Sequence, residues 1–158
     1  MICETLDEFL ETVPAGSRLI GLDVGSKTIG IAVSDSARAV ATSVETIRRT
    51  KFSKDVVLLK DILAERDAGG IFIGLPVSMD GTEGPACQSV RQFAANLAEE
   101  IDLPIAFWDE RLSTSAIERF LVDEADMSRK RRGEVVDKMA AAYILQGALD
   151  ALRNLSEG

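Results

Sequence analysis

Three acidic residues stand where a carboxylate could take part in catalysis, far apart in a sequence of 158 residues: Asp23, Glu110 and Asp137. The sequence contains no histidine. This excludes Ser-His-Asp and Cys-His nucleophiles, histidine acid–base catalysis and zinc sites with histidine ligands. Chemistry in this protein must therefore use carboxylates, lysines, hydroxyls or a metal ion held by oxygen atoms.

The first acid, Asp23, lies near the end of an apolar run with the composition of a β-strand. Alternation along the strand places Gly21 on the same face as Asp23, so the carboxylate has free space beside it. Gly25 follows in a predicted turn and would let a phosphate or a metal approach the backbone. The alternative is that Asp23 only caps a strand end, which is a common use of aspartate.

The second acid belongs to the segment Asp109-Glu110-Arg111, directly after a predicted strand. Open α/β sheets bind ligands at the carboxyl ends of their strands. Because side chains alternate, only one of Asp109 and Glu110 can face the same side as Asp23. A surface ion pair between Asp109 and Arg111 is the competing interpretation.

The third acid, Asp137, lies in a helical pattern and shares one face with Ala140, Ala141 and Ile144. Burying an unpaired carboxylate costs several kcal/mol, so an acid on this face should lie near a cation, a hydrogen-bond network or a metal. The alternatives are a pair with Lys138 or a place in the first helical turn, where the helix dipole favours negative charge.

Asp23, Glu110 and Asp137 can converge at one edge of a mixed sheet. Three oxygen ligands without nitrogen or sulfur suit Mg²⁺ or Mn²⁺. Clustered carboxylates also repel one another unless a cation lies between them. Metal-assisted hydrolysis of a phosphodiester is the reaction class that this arrangement predicts.

Hydrophobic periodicity predicts the elements that would position the acids. Strands are predicted at 18–24, 28–35, 39–47, 70–74 and 104–108, and helices at 53–67, around 90–97, at 114–124 and at 134–155. Short connections suit antiparallel pairing of the first three strands, whereas helix-linked strands pair in parallel. We therefore expect an α/β fold of order βββαβαβα, with a five-stranded mixed sheet, three antiparallel strands then parallel ones, flanked by helices.

Two units are predicted along the chain. Residues 1–17 form an acidic amphipathic amino-terminal appendage, in which apolar residues share one helical face over 4–13. We expect this helix to dock on the core, with binding to a partner as the alternative. Residues 18–155 form a single domain that contains all three acids, since no repeat, low-complexity tract or linker divides them.

The charge balance is acidic, with 18 Lys+Arg against 26 Asp+Glu, a net charge of −8 and a pI near 4.6. Acidity disfavours non-specific binding of nucleic acid. A run of charge is most often a solvated surface, but one basic run directly precedes the Asp137 helix and could clamp phosphates. The candidate substrate-binding residues are the four of that run and the cations beside two of the acids: Arg129, Lys130, Arg131, Arg132, Arg111 and Lys138. An earlier basic run is interpreted as a solvated surface, with RNA binding as the alternative: Arg48, Arg49, Lys51 and Lys54.

The cellular compartment follows from cysteine use and hydropathy. Cys3 and Cys87 belong to no CxxC pair, which favours two reduced thiols. No segment approaches about 18 consecutive apolar residues, and the amino terminus lacks the positive region of a signal peptide. These features predict a cytoplasmic protein that does not contact a membrane.

Five ordered motifs resemble the YqgF/RuvX family: Ile20–Gly25, Gly30–Asp35, Gly74–Thr82, Asp109–Thr114 and Val136–Ala142. The resemblance covers about 18–152. It implies a ribonuclease H-like fold, with Asp23, Glu110 and Asp137 as catalytic acids and metal ligands. Resolvases of the related RuvC type carry a further acidic or histidine ligand one turn beyond the last aspartate, where this sequence has Ala140.

The resemblance implies a nuclease dependent on Mg²⁺ or Mn²⁺ that processes the 5′ end of pre-16S rRNA in ribosome biogenesis. A Holliday junction resolvase-like DNA endonuclease and a non-catalytic RNA or ribosome-assembly binding module are the alternatives. Nucleotide phosphotransfer is a further alternative, but enzymes of that class close two domains around ATP, and this chain is predicted to have only one such domain. The expected nucleic-acid partner is precursor rRNA in preference to DNA junctions, and ribosomal assembly intermediates are further expected partners. The protein is expected to be a monomer or weak homodimer.

Overall fold

The computed structural model describes residues 1–112 and 129–157, with side chains described for 1–112 and 139–155. All strands and helices predicted within these ranges are present, whereas the predicted helix 114–124 lies outside them. In chain order the elements are α1 (Leu6–Thr12), β1 (Arg18–Val24), β2 (Thr28–Ser34), β3 (Ala41–Arg48), α2 (Phe52–Glu65), β4 (Ala68–Leu75), α3 (Pro85–Glu100), β5 (Ile105–Asp109) and α4 (Arg129–Glu157).

The five strands form one sheet in the order β3-β2-β1-β4-β5. β1, β2 and β3 pair antiparallel, while β4 pairs parallel with both β1 and β5. The predicted mixed sheet is therefore confirmed. Because β1, β4 and β5 run in the same direction, their carboxyl ends share one edge of the sheet, which also contains the turn between β1 and β2.

The sheet separates two apolar layers. Ile20 and Leu22 of β1 face α2 and α3, in a core of branched aliphatic side chains. Leu19 lies on the opposite face, in a second core with α1 and α4. Asp23 shares this second face by alternation along β1. Within the described ranges, no helix has the length and apolar character needed to cross a bilayer.

The amino-terminal segment packs against the domain at the second face. Thr5 accepts a hydrogen bond from the Glu8 N–H and begins α1, and the fully buried Phe9 ring lies 4.4 Å from the Phe72 ring, centroid to centroid. Ile2 pairs in parallel with Ile105 beside β5. The helix is shorter than the predicted 4–13, because Thr5 caps it and Val13 is extended.

Candidate active site

The structure brings together two of the predicted catalytic acids, Asp23 and Glu110. Asp23 lies near the carboxyl end of β1, and Glu110 directly follows the carboxyl end of β5. Their carboxyl groups are hydrogen-bonded to each other across the end of β4. Of the two neighbouring acids at the end of β5, Glu110 is therefore the one that lies on the Asp23 side.

Strand glycines create the space that these carboxyls occupy. A Cβ on Gly74 of β4 would lie 2.6 Å from Glu110 Oε1 and 2.5 Å from Ile144 Cδ1 of α4. Gly30 of β2 pairs with Asp23, and a Cβ there would lie 3.6 Å from the Asp23 Cβ. The Glu110 side chain thus lies directly over β4, where any larger residue than glycine would meet it.

A third glycine sets how closely α4 approaches the sheet. A Cβ on Gly21 would lie 2.7 Å from the Leu145 Cβ and 3.0 Å from the Ala141 carbonyl oxygen. Ala141 and Leu145 are themselves buried. The helix backbone therefore packs directly on β1, next to the acid pair.

Burial dominates the electrostatics of the pair. It disfavours the charged form of Glu110, and together with the charge and hydrogen bond of Asp23 it raises the pKa of Glu110 to about 7. Asp109 adds a smaller repulsion. A half-buried carboxyl held against a second carboxyl is a site where a cation would be stabilised.

Asp137 lies in α4, four residues before Ala141 and so one helical turn closer to the amino end of that helix. Its side chain, and those of Lys138 and Arg129 to Arg132, lie outside the described residues. Within the described side chains no group of three or more potential metal ligands occurs. The predicted convergence of three acids is thus observed for Asp23 and Glu110 and remains a prediction for Asp137.

Arg111, predicted to bind substrate, makes a close ion pair in this structure. Its Nη2 lies 2.6 Å from Asp109 Oδ2, and its Nε also donates to this carboxylate. The guanidinium lowers the pKa of Asp109 through these hydrogen bonds. The ion pair proposed as the competing interpretation of this segment is therefore present, at half-buried positions beside Glu110.

Arg49 contacts the site region in a way that sequence patterning does not indicate. Its Nη1 donates to the Gly25 carbonyl at 2.6 Å, and its backbone N–H donates to the Lys27 carbonyl at 2.8 Å. The guanidinium also lies 5.3 Å from the centre of the Phe93 ring. Arg49 therefore holds the turn that directly follows Asp23. In the sequence it is only one member of a basic run.

The sequence model of the RuvX family, described as Holliday junction resolvase, matches residues 17–151. This chain belongs to the RuvX family. A protein of Ruegeria pomeroyi named "Putative pre-16S rRNA nuclease" is 60% identical over 155 residues, covering 98% of this chain and 100% of the relative. A protein of the same name from Paramagnetospirillum magneticum is 64% identical over 143 residues, covering 90% of this chain and 92% of the relative.

Solved structures agree with this membership at the level of the fold. Thermus thermophilus RuvC in complex with a Holliday junction substrate superposes with a TM-score of 0.51 and 14% identity, covering 85% of this chain and 94% of that one. A second structure of the same protein gives a TM-score of 0.50 at 14% identity, covering 87% of this chain and 96% of that one. The predicted family and ribonuclease H-like fold are confirmed, and the RuvX family places this chain among the nucleases that act on phosphodiester bonds.

Proposed function

We propose that this RuvX protein is a metal-dependent endonuclease that processes the 5′ end of pre-16S rRNA in the cytoplasm. The observation that supports it most directly is the hydrogen-bonded pair of Asp23 and Glu110 at the carboxyl edge of a ribonuclease H-like sheet. The names of relatives at 60% and 64% identity support the RNA substrate. The absence of histidine leaves the acids and a metal to perform the hydrolysis.

The residues at this edge fit a divalent cation that prefers oxygen ligands, such as Mg²⁺ or Mn²⁺. Glu110 and Asp23 place two carboxyls against each other at a half-buried site, and a cation between them would remove their repulsion. Asp137 is the proposed third ligand. When bound, the metal would supply Lewis-acid activation of a water molecule and of the scissile phosphate.

The chain itself would position the substrate and protect the acids. Gly74 leaves room for the Glu110 carboxyl, and Ile144 of α4 reaches the same position over β4. Arg49 fixes the turn after Asp23 through the Gly25 carbonyl. We propose that the predicted substrate-binding cations neutralise phosphates around the scissile bond: Arg111, Lys138, Arg129, Lys130, Arg131 and Arg132.

The test is cleavage of a precursor 16S rRNA fragment in Mg²⁺ by the double variant Asp23→Asn, Asp137→Asn. We expect the wild-type protein to cleave this RNA in Mg²⁺ and to lose cleavage in EDTA. We expect the double variant to lose cleavage while it melts at the wild-type temperature. Unchanged cleavage by the folded variant would overturn the assignment. Trp108, the only tryptophan of the chain, lies two residues before Glu110 and allows Mn²⁺ binding to be followed by fluorescence quenching independently of activity.

Cleavage of a four-way DNA junction is the second candidate, favoured by the description of the family model that matches residues 17–151. A junction resolvase needs two active sites related by a dyad, whereas an RNA-processing enzyme can act as a monomer. We propose a monomer or weak homodimer that meets its RNA on ribosomal assembly intermediates. Sedimentation with and without a junction, and cleavage of both substrates side by side, separate the two functions.

Catalytic variants that still support 16S rRNA maturation in cells would instead indicate a non-catalytic binding role.

A further inference from the structure

Four cations of this acidic protein lie together at its surface, outside the residues that the proposed function uses: Lys27, Arg48, Lys51 and Lys54. All four are exposed. In the part of the chain that the structure describes, none of their side chains makes a hydrogen bond or an ion pair. We call these four residues the basic edge.

The topology places the basic edge beside the acid pair. β3 runs parallel to β1, so its last residue, Arg48, lies at the sheet edge that contains Asp23, where it pairs with Thr28 of β2. Asp23 pairs with Gly30, which lies two residues along β2 from Thr28, and β2 separates the Asp23 strand from the Arg48 strand. With strands about 4.8 Å apart and a rise of about 3.3 Å per residue, the Asp23 and Arg48 backbones lie about 12 Å apart.

Arg48 also shares the sheet face of the acids. Its neighbour Ile47 is buried in the core with α2 and α3, so alternation directs Arg48 to the opposite face, as it does Asp23. Lys27 belongs to the turn that follows Asp23. A polymer chain bound at the acids would therefore reach these cations within a few repeat units.

The segment that contains the basic edge is held in place by contacts within the fold. Arg49 joins β3 to the turn at Gly25, and the buried Asp55 accepts hydrogen bonds from the Thr50 N–H and hydroxyl, both at 3.1 Å. Asp55 is 1% exposed, so its carboxylate does not lie on the surface among the cations. The basic edge is thus a fixed positive surface on a protein of net charge −8.

Helix stability does not account for the two lysines of this surface. Lys51 is the residue that precedes α2 and makes no side-chain capping hydrogen bond, and Lys54 lies in the first turn of the helix. The dipole of α2 disfavours positive charge at this end. An anionic ligand would offset that repulsion.

We propose that the basic edge binds the phosphate backbone of the RNA strand on one side of the scissile bond. This inference rests on the proposed function and extends its substrate contacts to residues 27–54, on the β3 side of the acids. At a backbone rise of about 3.4 Å per nucleotide in a helical strand, a span of about 12 Å places the contacts about three to four nucleotides from the cleaved bond. Arg49 is a positioning residue here, because its guanidinium already contacts Gly25 and Phe93.

The experiment compares two double charge reversals of equal charge change. Lys51→Glu with Lys54→Glu alters the basic edge, whereas Arg18→Glu with Lys60→Glu alters two exposed cations away from it. Arg18 begins β1 at the opposite end of the sheet, and Lys60 makes only an exposed 3.5 Å ion pair with Glu100. Binding of a labelled precursor 16S rRNA fragment is measured over a range of KCl concentrations in the uncleaving Asp23→Asn background.

We expect Lys51→Glu with Lys54→Glu to weaken RNA binding about tenfold or more near 0.1 M KCl. The slope of log affinity against log salt should fall by about 1.4 for two single-strand phosphate contacts. The control pair should stay within about twofold of the parent, since it lies outside the surface. Arg48→Glu against Arg18→Glu gives a second matched comparison, between exposed residues at opposite ends of the sheet, should a double variant fail to fold.

Equal weakening by both pairs, or no weakening by either, would overturn the proposal. Loss of binding to a four-way DNA junction with RNA binding unchanged would also overturn it. The binding assay needs no cleavage. A wild-type protein that binds RNA through the basic edge but never cuts it would contradict the proposed function and leave this inference standing.

Discussion

At the edge of the sheet that holds the acids, the two faces differ in the size of the residues that they present. Ile71, Ile73 and Leu75 of β4 point into the core with α2 and α3. On the other face, the strand positions near α4 include Gly21 and Gly74. One face fills its volume with aliphatic side chains, and the other leaves volume for a helix backbone and for two carboxyls.

Ile73 and Gly74 are neighbours in sequence and show this difference within a single strand. Ile73 is fully buried, and Gly74 lies under Glu110. Apolar burial contributes stability, whereas an unfilled position next to half-buried carboxyls costs stability and provides a site for chemistry. The two faces thus divide these roles, and variants on each face should separate them.

The largest expected effect is loss of cleavage in Glu110→Gln. Removing one of the proposed metal-binding carboxylates should reduce kcat about 100- to 1000-fold, which corresponds to about 3 to 4 kcal/mol of transition-state stabilisation. The melting temperature of the metal-free variant should equal or exceed that of the wild type, because the repulsion from Asp23 disappears. A variant that loses activity only in proportion to its loss of folded protein would contradict the division of roles.

The next effect is on stability at the opposite face. Ile73→Ala removes a fully buried side chain and should lower the free energy of unfolding by about 3 kcal/mol. Urea unfolding measures this change. At a temperature where the variant stays folded, its kcat on precursor rRNA should remain near the wild-type value. A fall in kcat comparable to that of Glu110→Gln would show that the two faces are not independent.

A smaller effect is expected from closing the gap between β1 and α4. Gly21→Ala would place a methyl group against the Leu145 Cβ and the Ala141 carbonyl, neither of which can move alone, and should cost about 1 to 3 kcal/mol. Gly30→Ala is the matched control, because its Cβ would meet Ala141 and Asp23 at an ordinary 3.6 Å. Its unfolding free energy should change by less than about 1 kcal/mol. Equal destabilisation by both would contradict the close packing of α4.

A further effect is a pH dependence of the metal-free protein. The pKa of Glu110 is raised from 4.5 to about 7, so the folded protein holds a proton that the unfolded chain releases between these values. Stability from this group is present below pH 4.5 and is lost as the pH rises through 7. The melting temperature of the wild type relative to Glu110→Gln should therefore fall over this interval. A constant difference would show that Glu110 titrates normally.

Much of the fold follows from local sequence, because period-two and helical hydrophobic patterns specify each element independently. The chain order of the elements and the candidate acids Asp23 and Glu110 follow in the same way, since both acids lie at or next to the end of an apolar run. The sequence indicates the role of Gly74 in the site only weakly, through a glycine near the end of an apolar strand. The sequence gives no indication of the role of Arg49, because its acceptor, the Gly25 carbonyl, belongs to a turn 24 residues away.

The residue types restrict the kinds of chemistry open to this protein before any fold is known. With no histidine, catalysis is left to carboxylates, lysines, hydroxyls or a metal held by oxygen atoms, and the acids at strand ends and on a helix favour the carboxylates and the metal. The folded chain shows what strand alternation left open and the family resemblance implied, that Glu110 rather than Asp109 meets Asp23, and only the folded chain shows that burial raises the pKa of Glu110. Residue types are fixed along the chain, but a contact between β1 and the end of β5, and the exclusion of water that shifts a pKa, exist only once distant strands have paired.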